Sequence, residues 1–161
     1  MTHLHQVVFL LSALLPLWSS VGQARTGDAN LQFDKRVADA LRYCKAKKLN
    51  TSYCILVDMG LPSGKNRLFV YDFKNSKVVI AGLCAHGSGG GSTPFKTVFS
   101  NKINSNCSSL GRYKLGARAP SKWGIHTHYK MHGLDSSNSN AYKRSVVLHS
   151  YSPVPEHEIY P

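Results

Sequence analysis

Three β-type runs joined by short polar links constrain this chain more than any other feature of its sequence. Tyr53-Cys54-Ile55-Leu56-Val57-Asp58-Met59 is rich in β-branched and apolar residues and reads as a strand. The segment 60–66 holds Gly60, Pro62, Ser63, Gly64 and Asn66, a turn by composition. Arg67-Leu68-Phe69-Val70-Tyr71-Asp72-Phe73 follows as a second strand, Lys74 to Lys77 as a polar turn, and Lys77 to His86 as a third strand. Strands this close in sequence predict an antiparallel meander.

Upstream, Asp28 or Asn30 is placed to cap a helix running to about Lys48. Val37, Leu41 and Cys44 fall at i, i+4 and i+7 and predict its apolar stripe. Earlier still, residues 7–15 form an apolar core, broken by Pro16 and followed by Gly22-Gln23-Ala24. That core is too short to span a bilayer comfortably, and its small residues suit a signal peptidase. Residues 1–24 are therefore expected to be a signal peptide cleaved after Ala24, with an uncleaved anchor as the weaker reading. The n-region is atypical, with His3 and His5 but no Lys or Arg. Residues 25–52 form the helical lead-in. No transmembrane segment is expected after cleavage.

Charge enters at this point. The 161 residues carry a formal net charge of +12, and none of it lies in residues 1–24. In a cytoplasmic protein such a balance points first to nucleic acid. No RNA- or DNA-binding motif is visible, and export makes anionic envelope polymers the expected partners. Simple solubility is the plainer reading of the same charge. Cys44, Cys54, Cys84 and Cys107 include no CxxC pair, which argues against a zinc ribbon or a thioredoxin motif. An oxidising compartment allows three full disulfide pairings that the sequence does not choose between, while Cys54 and Cys84 lie in apolar runs that suit buried free thiols.

Gly87-Ser88-Gly89-Gly90-Gly91-Ser92 lacks the Gly-Lys-Ser/Thr ending of a phosphate loop and is expected to be a mobile surface loop. Short segments follow around Thr97–Ser100, Ser109–Leu115 and Gly124–Met131, then a helical turn over Asn138–Lys143. The last element is Lys143-Arg144-Ser145-Val146-Val147-Leu148-His149-Ser150, a covered strand that delivers His149 at its end before Pro153 and Pro155 stop it. A strand terminus holds a side chain rigidly near solvent, which suits a general base. A hydrogen-bonded edge histidine is the plainer alternative.

Two constellations compete for chemistry. In His126-Thr127-His128-Tyr129-Lys130-Met131-His132 a strand would set all three histidines on one face, as a zinc site requires. No HExxH is present and the one nearby carboxylate is Asp135, so a zinc-dependent hydrolase is the minor reading. His149 is the second candidate, and its nucleophile is not obvious. Cys107, in a Ser/Asn/Gly context, is the one cysteine whose thiolate is expected to be exposed.

An ordered set of short pieces adds to this. Asp58-Met59, Ser63-Gly64-Lys65-Asn66-Arg67 with Phe69-Val70-Tyr71-Asp72, Ala85-His86-Gly87, Phe99-Ser100-Asn101 and Ser108-Ser109-Leu110-Gly111 come first. Gly124-Ile125-His126, His132-Gly133-Leu134 with Asn140-Ala141, and Arg144-Ser145-Val146-Val147-Leu148-His149 complete it. Together, from Tyr53 to the C-terminus, they resemble the murein L,D-transpeptidase catalytic-domain family. The resemblance implies a mainly β fold, an L,D-transpeptidase-like β-sandwich with an N-terminal helix, spanning residues 53–161. It implies a periplasmic or envelope protein acting on peptidoglycan stem peptides through a Cys–His pair and an acyl-enzyme, without metal or other cofactor. His149 matches the family's base and Ser150 the residue whose carbonyl orients it. His126, Gly133 and Arg144 are the expected substrate-binding residues. The family's nucleophilic Cys follows this His by one to two dozen residues in a Ser-x-Gly-Cys-like stretch, and Ser150 to Pro161 contains no Cys. The catalytic domain is thus expected to be C-terminally incomplete and inactive as given, either cut short before the Cys motif or a genuine non-catalytic descendant. The competing reading from another class is a non-catalytic wall-binding protein on the same scaffold.

Overall fold

A computed structural model describes residues 8–12 and 25–159. The described residues form seven strands and one long helix: β1 (Val8–Ser12), α1 (Arg25–Ala46), β2 (Tyr53–Asp58), β3 (Leu68–Asp72), β4 (Lys77–Gly82), β5 (Gly111–Pro120), β6 (Thr127–Gly133) and β7 (Val147–His149). The strands pair in the order β4-β3-β2-β1-β5-β6-β7. The expected meander is the first antiparallel half, β2-β3-β4, and β5-β6-β7 is the second. β1 bridges them, parallel to β2 and antiparallel to β5.

Alternation along β2 explains how the halves become layers. Cys54 and Leu56 point to one face, where they bury against Val37, Ala40 and Cys44 of α1 together with Phe33, Phe69 and Tyr71. Val57, next along the strand, points the other way and joins Met59, Tyr113, Leu115, Met131 and Ala141 in a second cluster that unites residues of both halves. This is the mainly β, sandwich-type arrangement with an N-terminal helix that the sequence predicts. Each fully buried side chain of this size contributes about 1.5–3 kcal/mol.

The helix stripe differs in one residue. Ala40, 1% exposed, occupies the centre of the buried face, and Leu41 sits at its margin. A methyl there lets the helix lie close to the sheet. The helix ends as a Schellman turn: Leu49 N–H bonds the Cys44 carbonyl at 2.8 Å, Lys48 N–H bonds Lys45 at 3.2 Å, and Lys48 takes φ 53°.

One strand falls inside the expected leader, and one further expectation changes. Val8–Ser12, inside the expected signal peptide, forms a strand in the centre of the sheet. The rest of that segment, with the cleavage point after Ala24, lies outside the described residues. The glycine-rich segment is not a loose loop. It makes a 3-10 turn at Gly89–Gly91 and lies against residues 105–108. A Cβ on Gly87 would stand 2.2 Å from the Asn106 carbonyl oxygen, and one on Gly89 would stand 1.9 Å from that of Ser105. The glycines are needed for this backbone approach. Cys44, Cys54, Cys84 and Cys107 are all free thiols. No helix among the described residues is long and apolar enough to cross a membrane.

Candidate functional site

β7 pairs with β6 through His128 opposite His149, Tyr129 opposite Leu148 and Lys130 opposite Val147. This register holds His149 at the end of the strand, beside a cavity of about 680 Å³. Leu148, His149, Ser150 and Tyr151 line one wall, His86 and Gly87 another, and Cys107 to Ser109 a third. Trp123 and Tyr151 meet edge-to-face at 5.5 Å on its lining.

His149 Nδ1 lies 2.8 Å from the carbonyl oxygen of Ser150. A carbonyl only accepts, so Nδ1 carries a proton, and in the neutral ring the lone pair is on Nε2. Ser150 is in turn held by the 121–126 turn: its Oγ accepts the Ile125 N–H at 2.8 Å. Gly124 packs directly on Ser150 with φ 52°, and a Cβ there would stand 2.4 Å from the same carbonyl oxygen. The orientation of His149 therefore depends on Gly124 and Ile125, residues that carried the family resemblance without an assigned role.

Cys107 lies on the cavity wall, and in contrast to expectation its thiol is buried. Its Sγ donates to the Ser105 carbonyl at 3.4 Å, a bond that the thiolate cannot make. Arg144 binds the Cys107 carbonyl through Nη2 and reaches Ser105 Oγ at 3.3 Å and Ser109 Oγ at 3.1 Å. It fastens the 105–109 segment from behind. Cys84 also lines the cavity, and burial pushes its thiol up while the Arg67 charge pulls it down. Among the described residues neither thiol hydrogen-bonds His149. Cys54, in the helix-facing cluster, is pushed up to about 12 by burial and then by the neighbouring Cys44.

The remaining predicted residues lie apart from the cavity lining. His126 is exposed in the turn before β6 with φ 57°, so it does not share the face of His128 and His132. His132 instead stacks on Tyr142 at 4.9 Å. Among the described residues no group of three His, Cys, Asp or Glu side chains is placed to hold a metal ion. Gly133 packs against the 136–138 turn, where a Cβ would stand 1.9 Å from the Asn138 carbonyl oxygen. That turn is also tied to β5 by the Arg112–Asp135 ion pair, with the Arg112 guanidinium 4.2 Å over the Tyr43 ring of α1.

Arg67 was not singled out by sequence. It is completely buried, the first residue before β3, and all its bonds go inward. Nε donates to the Cys84 carbonyl at 2.8 Å, Nη1 to the Leu61 carbonyl at 2.9 Å, and Nη2 contacts His86 Nδ1 at 3.0 Å. Nη2 also bonds the Cys84 carbonyl at 2.5 Å. Burial, and then the Arg67 charge, lowers the His86 imidazole below its ordinary value.

The site is thus a strand-end histidine, aimed by the next residue's carbonyl, at the edge of a largely apolar cavity in a mainly β domain. The sequence profile of the L,D-transpeptidase catalytic domain matches residues 27–160, and the chain belongs to that family. The match takes in most of α1 as well as the strands. No curated protein and no solved structure matches the chain significantly.

Proposed function

We propose that this protein is an exported, peptidoglycan-modifying domain of L,D-transpeptidase type that receives stem peptides in the cavity beside His149. Family membership supports the substrate class. The observation that carries the site is the 2.8 Å contact between His149 Nδ1 and the Ser150 carbonyl, which leaves Nε2 as a base. In the family's chemistry a cysteine thiol gives its proton to that nitrogen while sulfur bonds the peptide carbonyl carbon. The C–N bond then breaks and the proton leaves with the amine. Residues 150–161 contain no cysteine, so residues 1–161 by themselves lack the acyl-forming thiolate at the family's position. The buried, carbonyl-bonded Cys107 is a poor substitute. On this reading residues 1–161 supply the stem-peptide cavity and the base. The +12 charge supports attachment to anionic envelope polymers, which is also the role of a non-catalytic wall-binding protein.

Incubation with a thiol-reactive carbapenem followed by intact-mass measurement tests the catalytic part. No adduct is expected on residues 1–161. An adduct together with transpeptidation, both lost in Cys107→Ser, would overturn the assignment. Pull-down on sacculi should weaken as salt rises, and N-terminal sequencing of the envelope fraction should begin at Arg25.

A further inference from the structure

The two histidines on the cavity wall are held by partners of opposite kind. The Ser150 carbonyl can only accept, so His149 carries its proton on Nδ1. The Arg67 guanidinium can only donate, so His86 must accept at Nδ1 and carry its proton on Nε2. Arg67 is anchored by the Cys84 and Leu61 carbonyls as well, which fixes its fork and hence the His86 ring. His86 Nε2–H has no hydrogen-bond partner among the described residues. No partnerless polar side-chain atom among them is sealed from solvent, so this donor is reached by solvent, on a residue that lines the cavity.

The charged groups near the cavity stand behind its wall, and Asp58 acts on the Arg67 charge there. None of its lining residues is Asp, Glu, Lys or Arg. Immediately behind the wall stand two guanidinium groups, Arg67 against His86 and Arg144 against Ser109 and the Cys107 carbonyl. In a cavity with no charged residue on its lining, an N–H donor whose tautomer is fixed suits an acceptor oxygen, and a carboxylate is the strongest such acceptor on a peptide.

We propose that His86 is a substrate-binding residue whose Nε2–H donates to the C-terminal carboxylate of the bound stem peptide, with Arg67 as the positioning residue that fixes its tautomer. This rests on the reading of the cavity as the stem-peptide site and assigns which of its groups recognises the peptide's acid. The cavity then offers a donor at His86 and a proton acceptor at His149. The lowered basicity of His86 agrees with this, since a ring held neutral keeps a single tautomer at neutral pH.

Two measurements on the full chain test the assignment. Long-range ¹H–¹⁵N spectra of histidine-labelled protein at pH 7 should show His149 protonated at Nδ1 and His86 at Nε2. A His86 ring protonated at Nδ1, or on both nitrogens, would overturn the proposal before any ligand is added. Calorimetric titration with a stem tetrapeptide and with its C-terminal amide provides the second. Wild type should bind the acid about tenfold more tightly than the amide, the size of one good charge-assisted hydrogen bond. His86→Ala should bind the two equally while keeping affinity for the amide, which also shows that the variant is folded. Equal binding by wild type, or a preference that survives in His86→Ala, overturns the role of His86 alone. Failure of wild type to bind either peptide overturns the functional reading with it.

Discussion

Gly124→Ala should damage the site from outside it. The added Cβ would stand 2.1 Å from Ser150 Oγ, 2.4 Å from its carbonyl oxygen and 2.6 Å from its carbonyl carbon. Two of these three atoms are backbone, so no rotamer change relieves the clash. The glycine also has φ 52°, where an L-residue costs roughly 1–2 kcal/mol. Moving Ser150 breaks its bonds to the Ile125 N–H and to His149 Nδ1, each worth about 1 kcal/mol. The expected loss in urea denaturation is therefore about 3–4 kcal/mol, a large part of a typical domain's stability. In ¹⁵N spectra His149 should also lose its single tautomer, because the carbonyl that selects it has moved. A loss below about 1 kcal/mol with an unchanged His149 spectrum would refute the claim that the 121–126 turn aims the base.

Arg67→Met should leave the Leu61 and Cys84 carbonyls and His86 Nδ1 without their donor. At about 1 kcal/mol for each stranded acceptor the cost is roughly 3 kcal/mol by urea denaturation, and His86 should become a mixture of tautomers; an unperturbed His86 spectrum would contradict this. At Asp135, burial alone raises the carboxyl, but hydrogen bonds from the Arg112 side chain and N–H and the Arg112 charge together hold it below the usual carboxylate range. A carboxylate depressed in the folded state contributes stability above its unfolded value of roughly 3.9 and loses that contribution as pH falls through its folded value. Asp135→Asn should therefore be less stable than wild type at pH 7, with the gap closing in acid; a gap that persists at pH 2 would show that the charge is not its source.

Local pattern made several elements readable in advance. β2, β3 and the start of β4 begin within a residue of their expected positions because alternating β-branched residues and Gly/Pro/Asn turns are local signals. His149 and the Ser150 carbonyl were readable for the same reason, being adjacent in sequence at a strand end. β5 runs on to Pro120, past the expected Leu115, because Gly116, Ala117 and Ala119 give no β signal and the strand exists through pairing with β6. The packing of Gly87 and Gly89 on residues 105–108 depends on two backbones far apart in sequence, and composition alone reads such glycines as a loose loop. Arg67 and His86 stand on opposite sides of the β3–β4 hairpin, and Arg67 looks like an ordinary surface cation in sequence. Its burial is visible only once Leu61 and Cys84 supply carbonyls for it. An apolar run of the length of Val8–Ser12 suits both a leader core and a strand, so local pattern does not separate the two.

The central claim is that stem peptides occupy the cavity between His149 and His86. Intermolecular NOEs from a stem tetrapeptide to the isotope-labelled protein test it most directly. The account predicts contacts to Trp123, Leu148 and Tyr151 on the cavity lining and none to Val79 or Ile80 on β4. Contacts confined to β4 or α1, with Trp123, Leu148 and Tyr151 silent at saturating peptide, would contradict it.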